Sequence, residues 1–236
     1  QILNLPFYKA LAFTLTYTFV VTPFVIVIGL GIALGVNALP AKIKGPTIFV
    51  SLLPMIVTPL IGSLILFWMI DAQGILGATL QRLFNDNALS LKASPSLTWV
   101  MLFVYGVWHS APFSFIVFYA GLQSVPSETL EAAMIDGASR WQRVRYVVIP
   151  YLTPLVTFIT LMQLMDNFRV FEPIVGFSAS ANATSLSWII FNDLRGQDSQ
   201  LFGSAAATSM LTILGVAILL TPVLIRTWRE FNSKTV

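Results

Sequence analysis

The sequence predicts an all-α protein that crosses a lipid bilayer several times, and three observations carry the prediction. Only 10% of the 236 residues are charged, against about 25% in an ordinary soluble domain. The mean hydropathy is +0.82. Five stretches, each long enough for a spanning helix of about 20 apolar residues, contain no Asp, Glu, Lys or Arg.

Those stretches are residues 10–41, 45–70, 93–127, 146–165 and 199–225, and each is assigned one span. The first holds Gly31 and Gly35 in "GLGIALG", a small-xxx-small spacing that permits close helix packing. No βαβ pattern surrounds them, so they are no dinucleotide fingerprint. Pro23, Pro54, Pro59, Pro112, Pro150, Pro154 and Pro222 fall within or beside the spans. Each is expected to kink or start a helix, with freed carbonyls satisfied by neighbours or water. A sixth charge-free stretch, 173–192, reads "PIVGFSASANATSLSWIIFN". Its Ser, Asn and Thr content predicts an external loop with a short helix, the alternative being a re-entrant segment.

Lys and Arg set the orientation. With segment 128–145 in the cytoplasm, eight of the thirteen lie inside: Lys42, Lys44, Arg140, Arg143, Arg145, Arg226, Arg229 and Lys234. Lys9, Arg82, Lys92, Arg169 and Arg195 lie outside. Gln1 is then external. An external start on a chain made in the cytoplasm requires an earlier span or a signal peptide, so a leading helix is expected before Gln1. The expected intact unit has about six spans, five of them here.

Several function classes are disfavoured. The chain has no cysteine and one histidine, His109, so neither a thiol site nor a histidine cluster for a metal is available. No basic block of the nucleic-acid-binding kind occurs. There is no G-x-x-x-x-G-K-[ST] motif for ATP. An ion-driven stand-alone transporter, the alternative reading, favours acids at mid-span, and none is found. A membrane enzyme would need a clustered set around His109.

The segment "SETLEAAMIDGASRWQRVRYVVIP" breaks the apolar pattern. Ser127 is placed to cap a helix, with Glu128 and Glu131 in the first turn where the helix dipole favours acids. Leu130 and Met134 share a face. Gly137 fits a C′ position needing positive φ, and Ser139 is placed to cap a second helix through Trp141. This is a capped helix, a turn and another helix, longer than a mere connection needs. An exposed helix with an apolar face and small Ala132 and Ala133 favours a docking element.

This segment resembles the EAA loop in permease subunits of binding-protein-dependent ABC importers. Glu131, Ala132, Ala133, Asp136, Gly137, Ala138, Ile149 and Pro150 match the pattern; Val144 replaces its usual aromatic residue. "AGLQSVPSETLEAA" resembles the lead-in of carbohydrate-type permeases, and "FWMIDAQGIL" (67–76) their external segment after an early span. "DNFRVFEPIVGF" (166–177) resembles the F-x-x-F-D-x-I-Y region of the subunits related to the larger maltose-permease subunit and the glycerol-3-phosphate permease. "SASANAT" stands where those subunits have T-x-G-G-P, which points to a substrate other than the common sugars.

The resemblance covers nearly the whole chain. It implies a single permease domain over 1–236 with the fold of a type I ABC importer transmembrane domain. Segment 127–145 would be the cytoplasmic coupling loop, with Glu131, Ala132, Ala133, Met134, Asp136, Gly137 and Ala138 docking on a separate ATPase. It implies a second permease subunit, two ATP-binding subunits carrying ATP and Mg, and a solute-binding protein. The host membrane would be the cytoplasmic membrane of a bacterium or archaeon. This chain itself would bind no cofactor.

Polar residues in and beside the spans are the candidates for contacting a sugar-like substrate. Asn167 and Gln163 offer amides that both donate and accept. Asp166 and Arg169, three apart, are placed to pair. His109 is placed to bond a hydroxyl or to satisfy a neighbouring carbonyl. Trp108, Phe168 and Phe171 offer faces for stacking, and Gln123 is expected at the cytoplasmic end.

Overall fold

A computed structural model of the chain describes residues 3–71, 73–84, 95–195 and 201–232. Gln1, Ala72, Lys92, Ala93, Ser199 and Lys234, used above, lie outside the described residues.

Helix α1, Leu5–Asn37, is the centre of the assembly. Asn4 caps it, its side chain accepting from the Phe7 N–H at 3.0 Å, and Pro6 sits in the first turn, where no N–H is needed. Its buried residues, among them Ala10, Phe13, Tyr17, Val21, Val25, Gly29 and Ala33, recur every three or four positions. That stripe packs along α5 (Pro95–Gln123) and α8 (Thr153–Phe168). The α1–α5 contact is close at Gly29, where an added Cβ would lie 2.5 Å from Ser114 Oγ. Gly31 and Gly35, expected to provide the close approach, instead face open space. Gly29 is the packing glycine, because it lies on the buried face and they do not.

The second predicted span is broken. α2 (Ala41–Ile56) and α3 (Pro59–Met69) meet at 93°. Pro59 drives the residue before it out of the helical region: Thr58 has ψ 143° and Val57 ψ 126°. Two side chains of α5 reach the exposed carbonyls of this corner. His109 Nε2 lies 3.1 Å from Val57 O, and Tyr105 Oη donates to Pro59 O at 2.6 Å.

After α4 (Ile75–Phe84) and α5 comes α6, Ser127–Ile135, and then α7, Arg140–Tyr151. α7 contains a π-helical turn over Val144–Val148. It meets α8 at a 65° bend around Leu152, just before Pro154. α9 (Glu172–Gly176), a 3₁₀ turn and α10 (Leu186–Arg195) follow, and α11 (Phe202–Asn232) closes the described chain. Among the described residues three helices are long and apolar enough to span a membrane, and counting each bent pair as one span brings the number to five, the number of stretches read from the sequence.

Segment 173–192 forms short helices and loop, not a span, and it is packed into the protein. Pro173, Ile174, Phe177, Ala179, Ala183 and Leu186 are buried, and several join the core around Phe13, Tyr17 and Tyr105. Its polar residues are ties. Asn182 accepts from Trp99 Nε1 at 3.1 Å and donates to Thr98 at 3.2 Å. Ser185 donates to Val170 O at 2.6 Å and caps α10 through the Trp188 N–H.

Candidate functional site

Two places concentrate the chain's polar chemistry. The first is a cavity of about 580 Å³ where α1, α5, α8 and the α2–α3 corner converge, a size suited to a small ligand. Gln163, Asp166, Asn167, Arg169 and His109 all line it.

The buried amides sit one turn apart on α8. Asn167 Nδ2 donates to Thr22 Oγ1 at 3.1 Å and to Gln163 Oε1 at 3.4 Å. Among the described residues this leaves Asn167 Oδ1 as an acceptor and Gln163 Nε2 as a donor without protein partners. An acceptor and a donor side by side match a hydroxyl, which needs both. Asp166 and Arg169 form the expected pair at 3.1 Å, with side chains more than half exposed, so it contributes little to stability. His109 spends its Nε2–H on the Val57 carbonyl, which leaves Nδ1 as an acceptor. It is the second of its two expected roles that the geometry realises.

The aromatic candidates fall elsewhere. Trp108 is 43% exposed and lines a separate apolar groove. Phe171 packs on Phe191 with centroids 5.1 Å apart. Phe168 is buried with Phe7, Ala10 and Leu186, beside Gly215. The rings that do line the cavity are Tyr17, Tyr105, Phe113 and His109, with Tyr105 and His109 stacked at 5.8 Å. Tyr17 and Tyr105 were missed because a tyrosine inside an apolar helix gives no sequence signal. Gly106 makes room for one of them: a Cβ there would strike the Tyr17 hydroxyl. Glu172 also lines this wall.

The second place is the helix–turn–helix of α6 and α7. Its turn is a Schellman motif. Gly137 N–H donates to Met134 O at 3.0 Å, Ala138 N–H to Ala133 O at 2.9 Å, and Gly137 has φ +79°. Ser139 then caps α7 in a capping box: its Oγ accepts from the Gln142 N–H, and its own N–H donates to Gln142 Oε1 at 2.7 Å. Ser127 does not cap α6. Pro126 occupies the cap position, no side chain bonds there, and Ser127 is already the first helical residue. Glu131, Ala132, Asp136 and Gly137 are exposed, with Ala133 and Ala138 partly so. Ile135 is 87%, Trp141 66% and Met134 56% exposed. Gln123, at the end of α5, donates to Asn37 Oδ1 at 3.0 Å, so the ends of α1 and α5 meet on the side from which α6 departs.

Residues 4–229 match the family of binding-protein-dependent transport system inner membrane components. The chain belongs to that family. It is therefore a multi-pass membrane permease of a binding-protein-dependent import system. A relative is the multiple sugar-binding transport system permease protein MsmF of Streptococcus mutans, 32% identical over 221 residues, 91% of this chain and 74% of the relative. Another is the trehalose/maltose transport system permease protein MalF of Thermococcus litoralis, 27% identical over 85% of this chain and 68% of the relative. Among solved structures, a bacterial ABC transporter that imports the acidic polysaccharide alginate aligns with a TM-score of 0.85. It is 21% identical, covering 96% of this chain and 80% of that one. The inward-facing MetNI methionine ABC transporter aligns at 0.69, with 18% identity, 97% of this chain and 99% of that one. These two show the shared fold.

Proposed function

We propose that this chain is one of two permease subunits of an ATP-driven importer for a sugar, sugar alcohol or small glycoside. A solute-binding protein delivers the substrate from outside, and two copies of a separate ATP-binding subunit supply the energy. The host membrane is the cytoplasmic membrane of a bacterium or archaeon. Segment 127–145 docks on the ATP-binding subunit, with Glu131 pairing a basic residue there. Closure of the two ATP-binding subunits on ATP then switches the spans between outward- and inward-facing states.

The observation that carries this reading is the turn element itself. It is fixed by a Schellman motif and a capping box, yet it holds Met134, Ile135 and Trp141 out from the protein. Fixed, exposed apolar side chains beside an acid are the makings of a docking face. The neutral donor–acceptor pair of Gln163 and Asn167 supports a hydroxyl-rich substrate, as do the sugars named for MsmF and MalF.

Purification of the full-length chain in mild detergent, with mass spectrometry of what accompanies it, tests the proposal. An ATP-binding protein and a second permease are expected, and Glu131→Lys should shed the former. A chain that comes out alone and transports in liposomes without ATP would overturn it.

A further inference from the structure

The groove that Trp108 lines is on neither site's path. It runs along α1 from Val20 to Ile32, with Val104 and Trp108 of α5 opposite and Ser51 of α2 along one side. The twelve helical steps from Val20 to Ile32 make it about 18 Å long. Its volume is about 620 Å³, and Ser51 is its only polar side chain other than the Trp108 indole N–H. The surface around it is the membrane-facing kind: Phe24 is 56%, Val50 61% and Val104 59% exposed.

One end of this groove has a cation. Lys44 stands seven residues before Ser51 on α2, hence on the same helix face and about 10 Å nearer the helix start. It is half-buried and has no ion-pair partner among the described residues. Lys42, two residues nearer the helix start and on the opposite face of α2, is exposed. The Asn37–Gln123 bond places this end of the protein on the side of α6, the cytoplasmic side in the proposed function. An apolar trough about as long as one leaflet's share of the roughly 30 Å hydrocarbon core, with an unpaired lysine beyond its end, has the shape and charge of a phospholipid site.

We propose that the groove holds an acyl chain of an anionic phospholipid from the cytoplasmic leaflet, its headgroup paired with Lys44. The tail displaces no water and needs no hydrogen bonds, which suits an apolar trough. The headgroup supplies the charge that Lys44 lacks within the protein. A basic residue near the surface attracts anionic lipid by about fivefold, and this sets the expected selectivity. The leaflet, but not the site, rests on the orientation in the proposed function.

The test uses the purified full-length transporter in nanodiscs of phosphatidylcholine doped with brominated phosphatidylglycerol or, separately, brominated phosphatidylcholine. Trp108 reports on the groove, and its fluorescence is isolated by difference against Trp108→Phe. At equal mole fraction the brominated phosphatidylglycerol should quench Trp108 several-fold more effectively than the brominated phosphatidylcholine. Lys44→Gln should remove the difference while leaving quenching by phosphatidylcholine intact. Equal quenching in the unmodified protein would overturn the anionic headgroup. Quenching by neither lipid would overturn lipid occupancy and mean that protein, such as a helix of a partner subunit, covers the groove. The readout needs neither ATP nor substrate, so it stands or falls separately from the importer reading.

Discussion

Gly137 separates backbone strain from side-chain contact in the turn between α6 and α7. Its φ of +79° is in the left-handed region, yet a Cβ added there meets nothing within 4 Å. Substitution therefore costs conformational energy and no steric clash. For an L-residue the left-handed conformation costs about 1–2 kcal/mol, and a β-branched residue pays more. That is enough to shift a turn equilibrium about 5–30-fold. The strain falls on the bonds from Gly137 N–H and Ala138 N–H that end α6, not on the membrane-embedded core. Asn tolerates this conformation better than other L-residues. The expected order of binding-protein-stimulated ATP hydrolysis in the purified transporter is Gly137, then Gly137→Asn, Gly137→Ala and Gly137→Val. Protein level in the membrane should be unchanged throughout. A Gly137→Val protein with full coupling, or a Gly137→Asn protein as impaired as Gly137→Val, would refute the reasoning.

Charge reversal by Glu131→Lys at the exposed face of α6 should abolish uptake at normal membrane abundance, and whole-cell uptake alongside immunodetection checks both. Asn167→Ala removes the amide between Thr22 and Gln163; the half-saturation constant for uptake is expected to rise about tenfold, as the loss of a hydrogen bond worth 1–2 kcal/mol predicts. Tyr105→Phe strips the donor from the Pro59 carbonyl at the α2–α3 corner. Leaving that acceptor unpaired costs about 1–3 kcal/mol, which should appear as a lower melting temperature in detergent, whereas Asp166→Asn at the exposed pair should leave melting within experimental scatter.

The spans were legible because a charge-free run of twenty residues has few interpretations. Their shapes were not. Pro23, Pro112 and Pro222 lie inside continuous helices, while Pro59 and Pro154 sit at bends of 93° and 65°. At the Pro59 corner Tyr105 and His109 donate to the exposed carbonyls, and that is a tertiary fact. The polar wall of the cavity was visible, since Gln163, Asp166, Asn167 and Arg169 stand out against an apolar helix. The aromatic wall was not, because burial decides which of many rings face inward: Trp108, Phe168 and Phe171 turn away, and Tyr17 and Tyr105 turn in. The burial of the loop "SASANAT" was not legible because its hydrogen bonds are long-range, to Trp99 and Thr98 of α5.

Uptake of a labelled sugar into proteoliposomes holding the purified assembly tests the central claim most directly. The luminal solution either contains or lacks ATP, and binding protein is either present or absent on the outer face. Accumulation that requires both ATP and binding protein, and that Glu131→Lys abolishes, is the predicted result. Accumulation driven by an ion gradient without ATP would contradict the account.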